Sequence, residues 1–361
     1  MQTKPTIWLL SAYRSASHAA WADWLVETFN EFNWQRLELP GRHFRWRIRG
    51  NPLSWLDTLP TEIPDLILAT SMVDLATLKG LHPQLATTNC IYYFHENQFA
   101  YPASQQQHES IDPQMVQLYG ALAANSLVFN SVYNRDSFLN GVDQLLKKLP
   151  DEVPDNIVTR LKSKSNILPV AINPVTTKHK REEKLILWNH RWEYDKAPEV
   201  FVEALLKLKK HNCDFKLALL GDRPLKTPAP LLQIEQQFGN RIFVNKKVSR
   251  QDYLKYLSQA SIVISTAIHE FQGLSVLEAV SAGCSPLVPD DLCYKEQYPA
   301  EYRYKSGSSD ALAEKLTDWL ENTPPVAPDV SSWYSENLNQ HWLSIINTNI
   351  YSTHQCPLNN P

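Results

Sequence analysis

Residues 262–279 read Ile262-Val-Ile-Ser-Thr-Ala-Ile-His-Glu270-Phe-Gln-Gly273-Leu-Ser-Val-Leu-Glu278-Ala. A β-branched apolar run is followed there by a glycine turn and a helical pattern, so the stretch predicts a strand, a turn and a helix. Such a turn presents backbone N–H groups of Gly273 and Leu274 to an anion, and glycine lets a phosphate approach closely. The carboxylates of Glu270 and Glu278 suit vicinal hydroxyls, as in a diphosphate with a sugar at each end. The alternative is an ordinary strand and helix with two solvated glutamates.

Short apolar strands alternate with helical patterns along the rest of the chain, in two successive series. The predicted strands are Thr6–Ala12, Gln35–Leu39, Asp65–Ala69, Cys90–Phe94, Leu127–Asn130, Leu185–Trp188, Lys216–Leu220, Arg241–Val244, Ile262–Ser265 and Pro286–Val288. Two series of this kind predict an α/β fold of two Rossmann-like parallel-sheet domains that face each other across a cleft. We expect the first domain at residues 1–172 and the second at 173–330. Helices are predicted at Asp310–Glu321 and Ser331–Ile346, and the tail 331–361 is predicted to return to the first domain.

The composition excludes several classes of protein. The 361 residues carry a net charge of -3 and are 43% hydrophobic, which is typical of a globular protein whose contacts with nucleic acid, if any, come from a local patch. Five scattered cysteines without Cys-x-x-Cys spacing disfavour a disulfide scaffold or a zinc site and fit a reducing cytosol. No stretch approaches the roughly 18 apolar residues of a membrane span. We therefore expect a cytoplasmic protein without a transmembrane segment.

A second polar turn follows the strand Leu185–Trp188 and contains Arg191 and Lys196. Arginine binds phosphate as a planar fork and lysine as a point charge. Because the carboxyl ends of parallel strands meet at one edge of a sheet, we expect both cations near the Glu270 turn. The alternative is a surface loop with incidental cations.

Two histidines follow strands of the first domain. His95 comes directly after Cys90–Phe94, where it could hydrogen-bond a sugar hydroxyl or the reacting centre. His18 ends the loop Ser11–His18, which is rich in small and hydroxyl residues and could lie under a diphosphate or face an acceptor. A structural role for the histidines, and an ordinary serine helix cap for the loop, are the alternatives.

The stretch Pro40–Gly50 concentrates positive charge and aromatic rings. It contains Arg42, Arg45, Trp46, Arg47 and Arg49. Arginine contacts phosphate and aromatic rings stack on bases, so the composition suits RNA. Pro40, Gly41 and Gly50 indicate a loop, and a solvated basic loop is the alternative interpretation.

The chain resembles retaining glycosyltransferases of the two-Rossmann-domain class (GT-B architecture, glycosyltransferase family 4), and more narrowly the tRNA-queuosine α-mannosyltransferase family. The segments that carry the resemblance are Leu39–Gly50, Ala69–Leu81, Tyr93–Pro102, Phe129–Leu139, Trp188–Lys196 and the Glu270 motif. One departure is Ser15-Ala16, where the family pattern has two glycines; the added Cβ atoms narrow the room beneath a diphosphate.

The resemblance implies transfer of mannose from GDP-mannose to the cyclopentene diol of queuosine in a tRNA anticodon. It implies that Glu278 holds the nucleotide ribose and Glu270 the transferred sugar. Arg191 and Lys196, with the amides of Gly273 and Leu274, would neutralise the diphosphate, and His95 would lie by the donor sugar. Since the chain has no Asp-x-Asp, we expect no obligatory cofactor and no metal.

Two other functions stay open at this point. The same donor chemistry could act on a glycolipid or polysaccharide, and that alternative predicts a basic amphipathic helix in the first domain. A protein of another class, a tRNA-binding protein with a vestigial transferase site, would bind tRNA without turning over a donor. Donor hydrolysis without acceptor would separate that protein from an active enzyme.

Overall fold

The computed structural model describes residues 4–101, 110–176, 179–224 and 226–351. The chain divides into two compact units: unit 1 comprises residues 1–170 and 336–361, and unit 2 comprises residues 171–335. Pro102, which ends the segment Tyr93–Pro102, and residues 352–361 of the tail, with Cys356, lie outside the described residues.

Unit 1 is built on a parallel sheet of six strands. The strands are β1 (Thr6–Arg14), β2 (Asn33–Pro40), β3 (Leu66–Thr70), β4 (Cys90–Phe94), β5 (Ser126–Phe129) and β6 (Ser165–Ile167), in the spatial order β2-β1-β3-β4-β5-β6. The helices are α1 (Ala16–Thr28), α2 (Phe44–Trp55), α3 (Leu75–Leu81), α4 (Asp112–Ala123), α5 (Val132–Leu146) and α6 (Ile157–Ser163). Strands β3 and β4 are buried along their whole length, as expected for a parallel sheet covered on both faces.

Unit 2 repeats the plan with a second parallel sheet of six strands. The strands are β7 (Leu185–Trp188), β8 (Lys216–Leu219), β9 (Ile242–Asn245), β10 (Ile262–Ile264), β11 (Ser285–Pro289) and β12 (Arg303–Tyr304), in the order β12-β11-β10-β7-β8-β9. The helices are α7 (Pro198–Lys210), α8 (Ala229–Phe238), α9 (Arg250–Gln259), α10 (Leu274–Ser281), α11 (Tyr294–Gln297) and α12 (Ser309–Glu321). The order reverses between β7 and β10, and this switch point is where ligands bind in doubly wound sheets.

The last helix, α13 (Ser335–Tyr351), belongs almost entirely to unit 1. Its Trp342 is fully buried, and the indole centroid lies 5.8 Å from that of Trp21 and 5.1 Å from the ring of Tyr93. The indole N–H donates to Pro169 O at 3.3 Å. Near the point where the chain crosses between units, Ile172 and Tyr334 form an isolated parallel bridge.

The prediction of two parallel α/β sheets is confirmed. The bounds of β4 and β7 coincide with the predicted strands, whereas β6 and β12 were not predicted because strands of three and two residues carry no periodic signal.

The prediction of a loop at Pro40–Gly50 is wrong, because residues 44–55 form helix α2. His43 adopts a left-handed φ of 55° immediately before the helix, which lets the chain turn after Gly41. Pro52 cannot donate to Ile48 O, and the side-chain amide of Asn51 takes its place, donating to Ile48 O at 3.2 Å and to Arg47 O at 2.8 Å. The helix therefore tolerates an internal proline through a side-chain hydrogen bond.

Candidate donor site and basic helix

The polar residues predicted in unit 2 lie at its switch point. The turn with Arg191 and Lys196 follows β7, and the turn with Glu270 and Gly273 follows β10, the strand paired beside β7. Gly273 has a φ of 66°, a left-handed conformation that favours glycine, and α10 begins at the next residue. A helix that begins at a switch point directs its N-terminal amides towards the ligand space.

Lys196 and Glu270 form an ion pair in which the lysine is buried and the glutamate is partly exposed. Lys196 Nζ lies 3.1 Å from Glu270 Oε2 and 3.1 Å from Asp195 Oδ2, and it donates to His269 O at 2.8 Å. The side chain of Lys196 is 9% exposed and that of Glu270 is 21% exposed. Glu270 also accepts from Phe271 N at 3.1 Å and from the amide of Gly273.

The charges of this cluster set its protonation. Burial alone would raise the pKa of Glu270, but the charge and hydrogen bond of Lys196 lower it to about 2. Burial alone would lower the pKa of Lys196, but Glu270 and Asp195 raise it above its ordinary value. Both groups are therefore ionised at neutral pH.

Two histidines border the pair and stay neutral. Burial, and then the charge of Lys196, lowers the pKa of His190 and of His269 to about 4. Arg191 contributes to the same lowering and is therefore near both rings. Its side chain is 55% exposed and pairs with Glu193 at 3.2 Å, so it lies at the surface whereas Lys196 is buried.

Glu278 is the fifth residue of α10 and is anchored from α9. Arg250 donates to its Oε1 at 2.5 Å, and the Tyr253 hydroxyl donates to its Oε2 at 3.3 Å. Tyr253 in turn accepts from Asn189 at 3.1 Å, and the Arg250 guanidinium lies 5.2 Å from the centre of its ring. Sequence reasoning missed Arg250 and Tyr253. Their position in the sequence could have indicated them, because they lie in the first turn of the helix that follows β9. Strand β9 is at one edge of the same sheet.

In unit 1 the two predicted histidines meet. The rings of His18 and His95 stack with centroids 4.1 Å apart, and His18 Nδ1 lies 2.9 Å from Tyr13 O. Burial lowers the pKa of His18 to about 4 and, together with the neighbouring His18, lowers that of His95 well below its usual range. Both rings are therefore neutral at pH 7. His18 is only 6% exposed.

Three buried amides hold the loop that carries His95, and sequence reasoning missed them. Asn130 donates to His95 O at 2.8 Å, and Asn134 donates to Asn130 Oδ1 at 2.8 Å and to Phe94 O at 3.0 Å. Asn97 donates to Asn134 Oδ1 at 2.9 Å. Asparagines from two separate segments of the sequence thus form one hydrogen-bonded network behind His95.

The arginines of the basic stretch differ in their surroundings. Arg42 and Arg45 are exposed, while Arg47 is partly buried. Arg49 donates to Asp74 at 2.6 Å, and the Asp74 side chain is 3% exposed. Arg49 therefore fastens α2 to the start of α3, so the stretch is not uniformly available to a ligand.

Neither a metal cluster nor a membrane helix is found in the described parts of the chain. Among those residues no group of three or more His, Cys, Asp or Glu side chains is placed to hold a metal ion. The described helices include none long and apolar enough to cross a membrane.

The second part of the chain belongs to the glycosyltransferases. Residues 172–332 match the family model of the glycosyl transferases group 1. Among solved structures, a sucrose-phosphate synthase from Thermosynechococcus elongatus aligns with a TM-score of 0.73 at 11% identity, over 97% of this chain and 100% of its own. The E. coli structure titled "Trehalose-6-phosphate from E. coli bound with UDP-2-fluoro glucose" aligns with a TM-score of 0.62 at 12% identity, over 97% of this chain and 99% of its own. Identities this low support the fold alone.

The first part of the chain identifies the family within that class. Residues 6–172 match the family model "tRNA-queuosine alpha-mannosyltransferase N-terminal". A tRNA-queuosine α-mannosyltransferase of Drosophila melanogaster is 33% identical over 350 residues, which cover 93% of this chain and 92% of that protein. The chain therefore belongs to the tRNA-queuosine α-mannosyltransferase family, and the predicted family and enzyme class are confirmed.

Proposed function

We propose that this enzyme transfers mannose from GDP-mannose to queuosine in a tRNA anticodon. The observation that carries the proposal is the similarity to the Drosophila tRNA-queuosine α-mannosyltransferase along nearly the whole chain, in a protein whose switch point holds Lys196, Glu270 and Glu278. We propose a cytoplasmic location, where tRNA is available as an acceptor.

The proposed roles in unit 2 follow from charge. Departure of the nucleoside diphosphate builds negative charge, which Lys196 and Arg191 would stabilise together with the amides at the start of α10. Glu278, held by Arg250 and Tyr253, keeps lone pairs for the two ribose hydroxyls. Glu270 would accept from hydroxyls of the transferred sugar. We propose that these cations and amides stabilise the diphosphate without a metal.

The proposed stereochemical course is retention. The acceptor hydroxyl would attack the face from which the diphosphate leaves, and the departing phosphate oxygen would take the acceptor proton. His95 is neutral, so it suits a hydrogen bond to a sugar hydroxyl better than an ion pair with the diphosphate.

The direct test is nucleoside analysis of tRNA after incubation with donor. We expect a hexosyl group on queuosine with GDP-mannose, and none with a tRNA that carries guanine at that position. Before that analysis, thermal-shift measurements with a panel of nucleotide sugars test which donor the enzyme binds. Queuosine that stays unmodified while the enzyme consumes GDP-mannose would contradict the acceptor, and stabilisation by another nucleotide sugar alone would contradict the donor.

One feature of α2, its form as a basic helix, fits a second acceptor class. Transfer to a glycolipid or polysaccharide predicts a basic amphipathic helix in the first domain, and α2 is a helix with arginines and an exposed Trp46 and Leu53. Offering GDP-mannose with membrane lipid extract in parallel with tRNA distinguishes the two. Transfer into the lipid fraction alone would replace the tRNA proposal.

A further inference from the structure

Trp46 lies directly on the backbone of α2 at Gly50. A Cβ atom added to Gly50 would stand 2.5 to 2.7 Å from three atoms of the indole ring, Cε2, Cδ2 and Cζ2. These separations are well below van der Waals contact, so no side chain fits between the ring and the helix. The residues are four apart and share one helix face. Trp46 nevertheless remains 52% exposed. The indole therefore rests against Gly50 while about half of the residue stays exposed to solvent.

The surface around this ring is positively charged. Between Glu38 and Asp57 the chain has four arginines and no acidic residue. Glu38, at the start of this stretch, pairs with Arg14 and Arg36, and of the four arginines Arg49 pairs with Asp74. Arg42 and Arg45 are exposed beside the ring in sequence. A partner that complements this surface is negatively charged and presents a flat aromatic group.

The packing of α2 argues against a membrane as that partner. An interfacial helix inserts its apolar face into the bilayer. Here Ile48 and Trp55 are buried in the core of unit 1, so the main apolar face of α2 is already covered. A nucleic acid chain with an unpaired base needs only a flat ring and neighbouring cations.

We propose that Trp46, seated on Gly50, is a stacking platform for an unpaired base of the RNA acceptor, with Arg42 and Arg45 on the adjoining phosphates. The inference rests on the proposed function, since it concerns the tRNA of that reaction. Sequence-specific RNA recognition commonly uses bases that are splayed out of loops and stacked on aromatic rings. Gly50 contributes to this role because the absence of a side chain lets the Trp46 indole pack directly on the backbone of helix α2.

The test compares Trp46→Ala, Gly50→Ala and the double variant in binding to tRNA carrying queuosine, at several salt concentrations. Loss of one stacked base lowers affinity roughly five- to a hundredfold. We expect a loss in this range for both single variants, because the methyl group that Gly50→Ala adds displaces the ring. The double variant should lose no more than Trp46→Ala alone. The salt dependence should stay that of the wild type, since stacking releases no counterions.

Matched variants separate stacking from charge and from folding. Gly80→Ala on α3 adds a methyl group in open space and should bind tRNA normally. Arg45→Ala should reduce the salt slope by about one, unlike Trp46→Ala. Melting temperatures of all variants check that the fold is retained.

Wild-type affinity for tRNA in Trp46→Ala would overturn the platform. A second result would also overturn it: Trp46→Ala keeps tRNA binding but no longer binds anionic phosphatidylserine vesicles. The ring would then contact a membrane and not a base. If the wild type places no hexose on tRNA, the proposed function itself fails. If the wild type does so and Trp46→Ala shows an unchanged KM for tRNA, only the platform fails.

Discussion

Lys196 has three N–H donors, and all three are engaged in this structure. Glu270, Asp195 and the carbonyl of His269 accept one each. A diphosphate can accept a hydrogen bond from Lys196 only if one of these three acceptors gives up its own. Asp195 is 2% exposed, whereas the side chain of Glu270 is 21% exposed and has the most room to move. We therefore expect the donor to take the place of Glu270 on Lys196 and to free that carboxylate for the sugar.

This exchange predicts that Glu270→Gln binds GDP more tightly than the wild type. A neutral amide competes less for Lys196 and does not repel the diphosphate, and a hydrogen bond to a charged group is worth about 1.5–3 kcal/mol, so a gain of roughly tenfold is expected. Transfer should fall, because in the proposed reaction the sugar loses its charged hydrogen-bond acceptor. Calorimetry with GDP and a turnover assay measure the two effects.

Glu278→Gln is the matched control and should weaken GDP binding, since in the proposed reaction its carboxylate accepts from the ribose hydroxyls. Two variants with the same chemical change would thus move GDP affinity in opposite directions. Weaker GDP binding in both would show that Glu270 does not compete for Lys196.

The buried histidines predict a loss of stability in acid. His18, His190 and His269 have pKa values of about 4 in the folded protein, below the ordinary 6.5, so the unfolded chain binds more protons between pH 6.5 and 4. Stability therefore falls as pH drops through this window, by roughly 3 kcal/mol per histidine at most. Glu270 adds to the loss between its ordinary 4.5 and about 2. Melting temperatures from pH 7 to 4 test this.

His18→Gln should flatten that pH dependence, because it removes one buried titrating ring. His341→Gln makes the same substitution at an exposed histidine and is the matched control. Parallel curves for the wild type and His18→Gln would refute the assignment of this acid sensitivity to the buried ring.

The residues of the candidate donor site differ in how far their arrangement could be predicted. Lys196 and Glu270 each follow an apolar strand, so their meeting at one sheet edge could be predicted from strand patterns. The Arg250–Glu278 pair could not, because the two side chains come from different helices and no local pattern links them. The stacking of His18 on His95 could not be predicted either, because no local pattern links helix α1 to the loop after β4.

Helix α2 shows why element type can be misread. Gly50 and Pro52 lower intrinsic helix propensity, and both indicate a break when only local sequence is considered. The helix forms because Asn51 replaces the missing donor of Pro52, donates to Met72 O at 3.2 Å and accepts from Asp74 N at 3.1 Å. These partners lie more than 20 residues away. Tertiary hydrogen bonds therefore override a local signal.

Asn51→Ala should destabilise the protein by roughly 2 kcal/mol, because several buried backbone groups lose their partner at once. Chemical denaturation measures the loss. Asn140→Ala, an exposed position in α5, should change stability by a few tenths of a kcal/mol. Equal stability of both variants would mean that α2 does not depend on the Asn51 amide.

Binding experiments on α2 must separate its arginines. Removing Arg49 leaves Asp74 without its guanidinium partner, so a triple Ala variant at Arg45, Arg47 and Arg49 would mix loss of RNA contacts with loss of packing. Arg42 and Arg45, which are exposed, are the informative positions for the predicted RNA surface.

The chain passes from unit 1 to unit 2 near residue 170 and returns near residue 335. The two β-α series predicted both sheets because strand alternation is a local pattern. The seating of α13 depends on contacts across most of the chain: Asn89 donates to Asn349 O at 2.7 Å, across 260 residues.

Trp342→Ala should destabilise unit 1 by roughly 3–5 kcal/mol, because it removes a fully buried indole from contacts with Trp21 and Tyr93. Hydrogen exchange, read separately for each unit, should show faster exchange in unit 1 than in unit 2. Tyr351→Ala, on the same helix but 67% exposed, is the control and should behave as the wild type. Uniform destabilisation of both units would argue that α13 does not serve unit 1 in particular.

The position of α13 also orders events during synthesis on the ribosome. Unit 2 is one continuous segment, residues 171–335, so it leaves the ribosome before α13 does. Unit 1 is synthesised first, but its fold is incomplete until Trp342 has been made. Until then the apolar surface around Trp21 and Tyr93 stays exposed. We expect the unit that starts second to finish folding first, and the nascent chain to be most vulnerable to aggregation in that interval.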